Sequence, residues 1–336
     1  MIFIVRYDAS MESSTSRFFW WTDVGQLSSQ QLGPIAMTIG NFDGVHKGHR
    51  SLLQNIVSWA KKEKGSALVL TFNPHPAQIL HPEKQHVRLF DYEDQKQQLR
   101  LAGIDGVLVQ AFSAAFSQQT PEHFFQNFIL DKIAPSYIAV GHDFHFGKDK
   151  EGGQELLQRL CSARGVEFTT VAAFKENGQV VSTSSVRRAL AQGNVLLAAR
   201  NLGRYYYLKG IVERGDQRGR QMGFPTANIR PFVDFFPRTG VYASWCWACG
   251  KKMKAVTNIG YNKTFVEGDH APIKVETHIL DSSFAPQLQA EQSDLYGREI
   301  RVELVQFLRE ERKFSGVEEL KKQIQADCQR ALEELQ

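Results

Sequence analysis

The sequence predicts an α/β domain followed by an all-β one: a doubly wound parallel sheet at the N-terminus, then a small β-barrel with one helix. Three observations carry this expectation. Between Ile35 and about residue 190, short β-branched runs alternate with helical patterns, the grammar of parallel βα units. From Tyr206 onward, strand-like runs follow one another with turn signals between them, and a single helix closes the chain. A length of 336 residues also exceeds one average domain, so two cores are expected.

Taken in order, residues 1–18 carry no period, and the Ser-rich stretch Ser10–Ser16 reads as a flexible extension. Ile35–Ile39 is an apolar strand. The amphipathic set Leu52, Leu53, Ile56, Val57 and Ala60 marks a helix soon after it. Ser66–Phe72 reads as a buried strand, Asp91–Leu101 as a helix and Gly106–Gln110 as a strand. Thr120 caps a further helix with Pro121 at its first position. Ser136–Val140 is a strand ending at Gly141, followed by a helix over 155–164 and a strand over 166–172. A short helical stretch ending in Asn201-Leu202-Gly203 reads as a linker. The predicted division is therefore an extension over 1–18, a first domain over 19–190, a linker over 191–204 and a second domain over 205–336. Barrel strands are expected at Tyr206–Arg214, Gly240–Trp245, Lys254–Gly260, Ile273–Leu280 and Glu299–Leu308. Ser315-Gly316-Val317-Glu318 has the spacing of a capping box for the last helix.

Composition narrows the partners. A net charge of +4 without a basic run gives no footprint for nucleic acid, whereas an anionic small substrate accounts for it. Cys161, Cys246, Cys249 and Cys328 are too spread for a disulfide framework and fit a reducing compartment. Cys246 and Cys249 have the spacing of a metal or redox pair, but on a strand they point to opposite faces and no second pair completes a zinc site. No apolar run approaches the roughly 20 residues of a membrane span. Met1–Arg6 is too short for a secretory core, so a cytoplasmic protein without membrane partner is expected.

The stretch Thr38-Ile39-Gly40-Asn41-Phe42-Asp43-Gly44-Val45-His46-Lys47-Gly48-His49-Arg50 reads as strand, phosphate loop and helix. Gly40, Gly44 and Gly48 let backbone N–H groups approach an anion, and the helix N-terminus favours negative charge there. His46 and His49, three apart in a first turn, project to one face above it. Nucleotidyl transfer needs donors for the charge on the α-phosphate and on departing pyrophosphate, and these histidines with Arg187 are groups of the right type. A lysine P-loop is absent. Ser182-Thr183-Ser184-Ser185-Val186-Arg187 suits polyphosphate as well as it suits a plain helix cap. A four-histidine metal site with His142 and His145 is the competing use of the pair.

In the second domain, Gly223-Phe224-Pro225-Thr226-Ala227-Asn228 places two oxygen donors, Thr226 and Asn228, on one side of an extended segment, as Mg²⁺ on a phosphate requires. Glu276 is placed to accept a proton from an attacking hydroxyl. A turn, a cap and a solvated strand glutamate satisfy the same spacing.

The combination strand, Gly-rich loop, His46-Lys47-Gly48-His49 and helix, with Ser182–Arg187 as second motif, resembles the HxGH nucleotidylyltransferase superfamily. Gly223–Asn228, Gly240-Val241-Tyr242, Asn258-Ile259-Gly260, Glu276-Thr277-His278 and Asp294-Leu295-Tyr296-Gly297 resemble riboflavin kinase. From Ile35 to the last helix the chain is similar to the bacterial bifunctional riboflavin kinase/FAD synthetase family. That resemblance implies a Rossmann-like nucleotidyltransferase domain that turns FMN and ATP into FAD, and a kinase barrel that turns riboflavin and ATP into FMN. It implies Glu276, His46 and His49 as catalytic, Gly40, Gly44, Gly48, Ser182, Arg187 and Gly223 on ATP phosphates, Asn41 and Asp143 on flavin, and Thr226 and Asn228 on Mg²⁺. The chain departs from the family at His145 and Ser185, where Arg is frequent, at Tyr205, where Pro is common, and over Asn258–Phe265, which lacks the usual Arg-Pro before Thr264-Phe265. Two competing readings stand beside this one: a kinase with a drifted nucleotidyltransferase domain and, on the His145 and Ser185 departures, a flavin-binding regulatory protein.

Overall fold

The computed structural model describes residues 18–27, 30–215, 219, 222–261, 273–281 and 295–336. The expected extension over 1–18 lies, apart from Phe18, outside the described residues. So do Asp294 and residues 262–265 of the last departure. Two compact units divide between Ser182 and Thr183.

The first unit is built on a six-stranded, wholly parallel sheet. Its elements run β1 (Phe19–Trp21), β2 (Ile35–Ile39), α1 (Lys47–Glu63), β3 (Ser66–Asn73), α2 (Pro76–Leu80), α3 (Tyr92–Leu101), β4 (Gly106–Ala111), α4 (Ala114–Ser117), α5 (Pro121–Phe124), β5 (Tyr137–Gly141), α6 (Gln154–Ser162) and β6 (Glu167–Val171). α5 continues as a π-helix over Phe125–Ile133. Strand order is β1-β4-β3-β2-β5-β6. The chain therefore adds strands on one side of β2 and then crosses to the other, which makes β2 and β5 the switch point where ligands bind in such sheets. Alternate residues of β2 serve opposite cores: Met37 and Ile39 meet Phe124, Phe125, Phe128 and Ile129, whereas Ala36 meets Leu53, Ile56 and Val57 of α1. A sheet covered on both faces needs no polar alternation, which is why these strands read as continuous apolar runs. Each fully buried leucine or isoleucine of α1 contributes about 1.5–3 kcal/mol.

The sequence does not announce β1. Its three residues gain their place through tertiary contact: Trp21 is buried against Gly106, where a side chain would occupy the space of the indole. A hairpin, β7 (Lys175–Glu176) and β8 (Gln179–Val180), closes the unit.

The second unit begins with α7 (Thr183–Ala191) and α8 (Val195–Leu202). The boundary thus falls before the expected position at 190, and the short helix expected in the linker is α8, which belongs to the second unit. The reason is packing: Val195, Ala198, Ala199 and Leu202 are buried, and α8 lies against α7 and strands of the barrel. The barrel strands are β9 (Tyr206–Glu213), β10 (Ala227–Pro231), β11 (Gly240–Ala248), β12 (Lys251–Tyr261), β13 (Ile273–Ile279) and β14 (Glu299–Arg309), closed in the order β10-β13-β12-β11-β14-β9. Closure removes unpaired strand edges. Buried hydroxyls satisfy one another inside: Ser244 Oγ lies 2.8 Å from Thr257 Oγ1, which lies 3.0 Å from Thr277 Oγ1. The last helix, α9 (Val317–Glu334), packs on β11, β12 and β14. Its Asp327 receives Arg309 Nε and Nη2 at 2.7–3.0 Å.

The expected capping box at α9 is shifted by one residue. Because Gly316 is the N-cap, Ser315 lies outside the helix and Glu319 takes the third position. Ser315 N and Oγ donate to Glu319 Oε2 at 2.9 and 2.7 Å, while Glu318 pairs with Lys321.

Candidate functional sites

The turn after β2 is built under strain and held by burial. Phe42 (φ 50°) and Val45 (φ 38°) adopt left-handed backbone, which costs bulky and β-branched residues about 1–3 kcal/mol. Their side chains are 1% and 0% exposed in the core beneath α1, so the packing that would be lost on relaxation keeps the strain in place. Asp43, also buried, accepts the Leu89 N–H through both carboxylate oxygens at 3.0 and 3.2 Å. Gln95 Nε2 donates to the Asn41 carbonyl at 2.7 Å. Gly44, at φ 83°, takes a conformation that other residues adopt at a cost.

His46 is the N-cap of α1. Its Nδ1 accepts the His49 N–H at 3.2 Å. A nitrogen that accepts carries no proton, so the ring N–H resides on Nε2, which becomes a donor at the helix N-terminus. The two imidazoles stack with centroids 3.6 Å apart and planes 17° apart. The expectation that both project to one face is thereby met by direct ring contact.

Gly48 explains how Ser182 reaches this turn. A Cβ at residue 48 would lie 2.9 Å from the Val181 carbonyl oxygen and 3.1 Å from the His46 ring, so only glycine lets the 174–182 segment close against α1. The first unit therefore gathers Gly40, Asn41, Gly44, His46, Gly48 and His49 on one turn, with Ser182 following the residue that touches it. Lys47, first residue of α1, pairs with Glu176 of β7 through both carboxylate oxygens at 3.0 and 3.1 Å. Asn41 Oδ1 is a buried acceptor with no hydrogen-bond partner among the described residues. Asp143 follows β5, the strand beside β2, and its carboxylate is largely exposed, 3.8 Å from His142 Nδ1. His145 Nδ1 lies 2.9 Å from the Asp143 carbonyl. Among the described residues, no three histidine, cysteine or acidic side chains converge as a metal site.

Arg187 belongs to the second unit, on α7, with its guanidinium 4.9 Å over the Phe235 ring. The hydroxyl of Ser185, one of the departures from the family pattern, accepts from Asn201 Nδ2 of α8 at 3.2 Å.

In the barrel, Asn228 on β10 stands directly opposite Glu276 on β13, and Glu276 directly opposite Asn258 on β12. Opposed residues of adjacent strands share a face, so these three side chains form one row, while Ala227, Val275 and Thr277 turn into the buried interior. Gly215 gives the Asn228 side chain its place, because a Cβ there would overlap the amide. Thr226 precedes β10, and Gly223 makes the turn before it at φ 86°. Sequence reasoning assigned no role to His278, two residues beyond Glu276 on β13. Its Nδ1 lies 2.8 Å from the Pro225 carbonyl and its ring meets Phe224 edge-on at 5.6 Å, so it holds the segment that carries Thr226. Burial lowers the His278 pKa, opposed by that hydrogen bond.

Cys246 is buried on β11, and Cys249 is exposed in the following turn. Burial and the neighbouring Cys249 push the Cys246 thiol up to about 12.

The chain thus carries a parallel sheet whose switch-point turn is capped by a histidine, and a closed barrel with an Asn–Glu row. Residues 28–185 match the family model described as FAD synthetase, and residues 202–335 match that of riboflavin kinase. The bifunctional riboflavin kinase/FMN adenylyltransferase of Escherichia coli (strain K12) is 37% identical over 305 residues, covering 90% of this chain and 94% of that protein. The protein of the same description in Bacillus subtilis (strain 168) is 34% identical over 312 residues, covering 91% and 94%. Among solved structures, a Streptococcus pneumoniae chain described as a macrolide-efflux protein superposes with a TM-score of 0.80 at 27% identity, covering 94% of this chain and 98% of that one. No helix among the described residues here is long and apolar enough to cross a membrane. The chain belongs to the bifunctional riboflavin kinase/FMN adenylyltransferase family.

Proposed function

We propose that this enzyme makes FMN in its barrel and FAD in its α/β unit, with the residues described above in the following roles. The observation that carries the reading is that one chain holds both the stacked His46–His49 pair over the N-terminus of α1 and the Asn228–Glu276 row of the barrel. In the barrel, Glu276 takes the proton of the ribityl 5′-hydroxyl as that oxygen attacks the γ-phosphorus of ATP, and FMN and ADP leave. Thr226 and Asn228 offer hard oxygen donors of the kind Mg²⁺ accepts beside phosphate oxygens and water, so a site of two protein ligands fits the ion. When bound, Mg²⁺ supplies charge neutralisation on the phosphates. Gly223 leaves the backbone open to the ATP phosphates.

In the α/β unit, an FMN phosphate oxygen attacks the α-phosphorus of a second ATP, and pyrophosphate leaves. Nε2–H of His46 and the His49 imidazole donate to the phosphate oxygens as charge develops. The backbone of Gly40, Gly44 and Gly48 and the N-terminus of α1 add fixed positive potential. Ser182 and Arg187 serve the leaving phosphates by their place in the second motif. Asn41 Oδ1 and Asp143 offer acceptors to the flavin. The partners are thus riboflavin, FMN, ATP and FAD, and the working compartment is the cytoplasm.

Incubating the purified chain with riboflavin, ATP and Mg²⁺ should yield both FMN and FAD by chromatography. Failure to form either, with oxidised and with reduced flavin, refutes the reading. FMN supplied with each nucleoside triphosphate in turn separates it from a kinase whose first domain serves another acceptor.

A further inference from the structure

Glu176 lies outside every motif that assigns this chain its chemistry, and Lys47 is the unassigned position between His46 and Gly48, yet their ion pair joins two parts of the proposed adenylylation site. Lys47 is the first residue of α1, where the helix dipole disfavours a cation and where the first turn holds no acidic residue. The compensating carboxylate comes from Glu176, on a hairpin of two-residue strands turned by Asn177 (φ 49°) and Gly178 (φ 78°). So short a hairpin has little stability of its own and depends on what it is tied to. Two ties hold it to α1: the bidentate Lys47–Glu176 contact and the packing of the Val181 carbonyl on Gly48. Both ion-pair side chains are about 30% exposed, so the pair is partly shielded from water. The next residue after Val181 is Ser182.

We infer that Glu176 and Lys47 are a positioning pair for FMN adenylylation: the ion pair clamps the 174–182 segment on α1 and so holds Ser182 at the His46–His49 turn. This rests on the adenylylation reading above. The pair's contribution is the placement of the hydroxyl that meets the ATP phosphates.

The test is a charge-reversal cycle in the full-length enzyme, scored as FAD formed from supplied FMN and ATP. Lys47→Glu and Glu176→Lys should each raise the KM for ATP about three- to tenfold in this reaction, with kcat less affected and FMN formation from riboflavin unchanged. The double variant Lys47→Glu/Glu176→Lys should recover most of the loss, because the clamp is restored with opposite sign. Wild-type KM values in the single variants overturn the proposal. Failure of the double variant to recover while Glu176→Gln behaves as wild type also overturns it, since Lys47 would then act on phosphate by itself. His46→Ala in parallel keeps the two levels apart: retention of FAD synthesis in that variant refutes the adenylylation reading, whereas its loss beside unaffected Lys47 and Glu176 variants refutes the clamp alone.

Discussion

Gly48→Ala puts one methyl group between α1 and the segment that leads to Ser182. The new carbon would stand 2.9 Å from the Val181 carbonyl oxygen and 3.1 Å from the Cε1 and Nδ1 atoms of His46, where ordinary contact begins at 3.4 Å. One neighbour is backbone and the other is the N-cap ring, so the segment before Ser182 must retreat by about half an ångström or the imidazole must turn. Overpacking of this kind costs about 1–3 kcal/mol, and alanine returns up to about 1 kcal/mol of helix propensity. The net loss of stability is therefore about 0–3 kcal/mol, below the about 5–15 kcal/mol of a typical domain, which leaves the protein folded. Catalysis is more sensitive, because misplacing a reacting or binding group by about 1 Å costs about a hundredfold. FAD synthesis from FMN should fall about ten- to a hundredfold, while riboflavin phosphorylation is unchanged. The assay is the rate of FAD formation beside the rate of FMN formation, with urea unfolding as control. Wild-type FAD synthesis in Gly48→Ala would refute the claim that the close approach of Val181 to α1 builds the site.

Separate chemistry in the two units predicts a clean dissection. His46→Ala should stop at FMN and lose about 1 kcal/mol of stability with its cap, whereas Glu276→Ala should make no FMN yet convert supplied FMN to FAD; product chromatography reads both. For His278, burial lowers the folded pKa below the ordinary 6.5. The unfolded chain then binds the proton more readily, so stability is present above about pH 6.5 and is lost as pH falls toward the folded pKa. Urea titrations at pH 7.5 and 5.5 should show a smaller pH-dependent loss in His278→Gln than in the parent. Among the cysteines, Cys249 is exposed while the thiols of Cys161 and Cys246 are buried and pushed up to about 12, so a thiol reagent should label Cys249 first, as mapped by peptide mass analysis.

Much of this protein is legible in its sequence. The β-branched runs at Ile35, Ser66, Gly106 and Tyr137 became neighbouring parallel strands because each is apolar on both faces, and that property is local. The spacing of His46 and His49 fixed their shared face because a helical turn is a rigid ruler. Harder to see were contacts between distant segments. Nothing near Phe19–Trp21 announces a strand; it forms because Gly106, far along the chain, leaves room for Trp21. The division at Ser182, rather than at residue 190, follows from α7 and α8 finding their apolar partners in the second unit.

The sequence by itself determined the order of the two folds, the glycine and histidine turn, and the residue types at each proposed site, since these depend on local periodicity and motif spacing. Only the tertiary structure decided that His46 Nδ1 is an acceptor, that Asn228, Glu276 and Asn258 share one row, that His278 meets the Pro225 carbonyl and that Glu176 meets Lys47. Those facts depend on strand register, ring orientation and close approach between residues far apart in the chain, which no local pattern encodes.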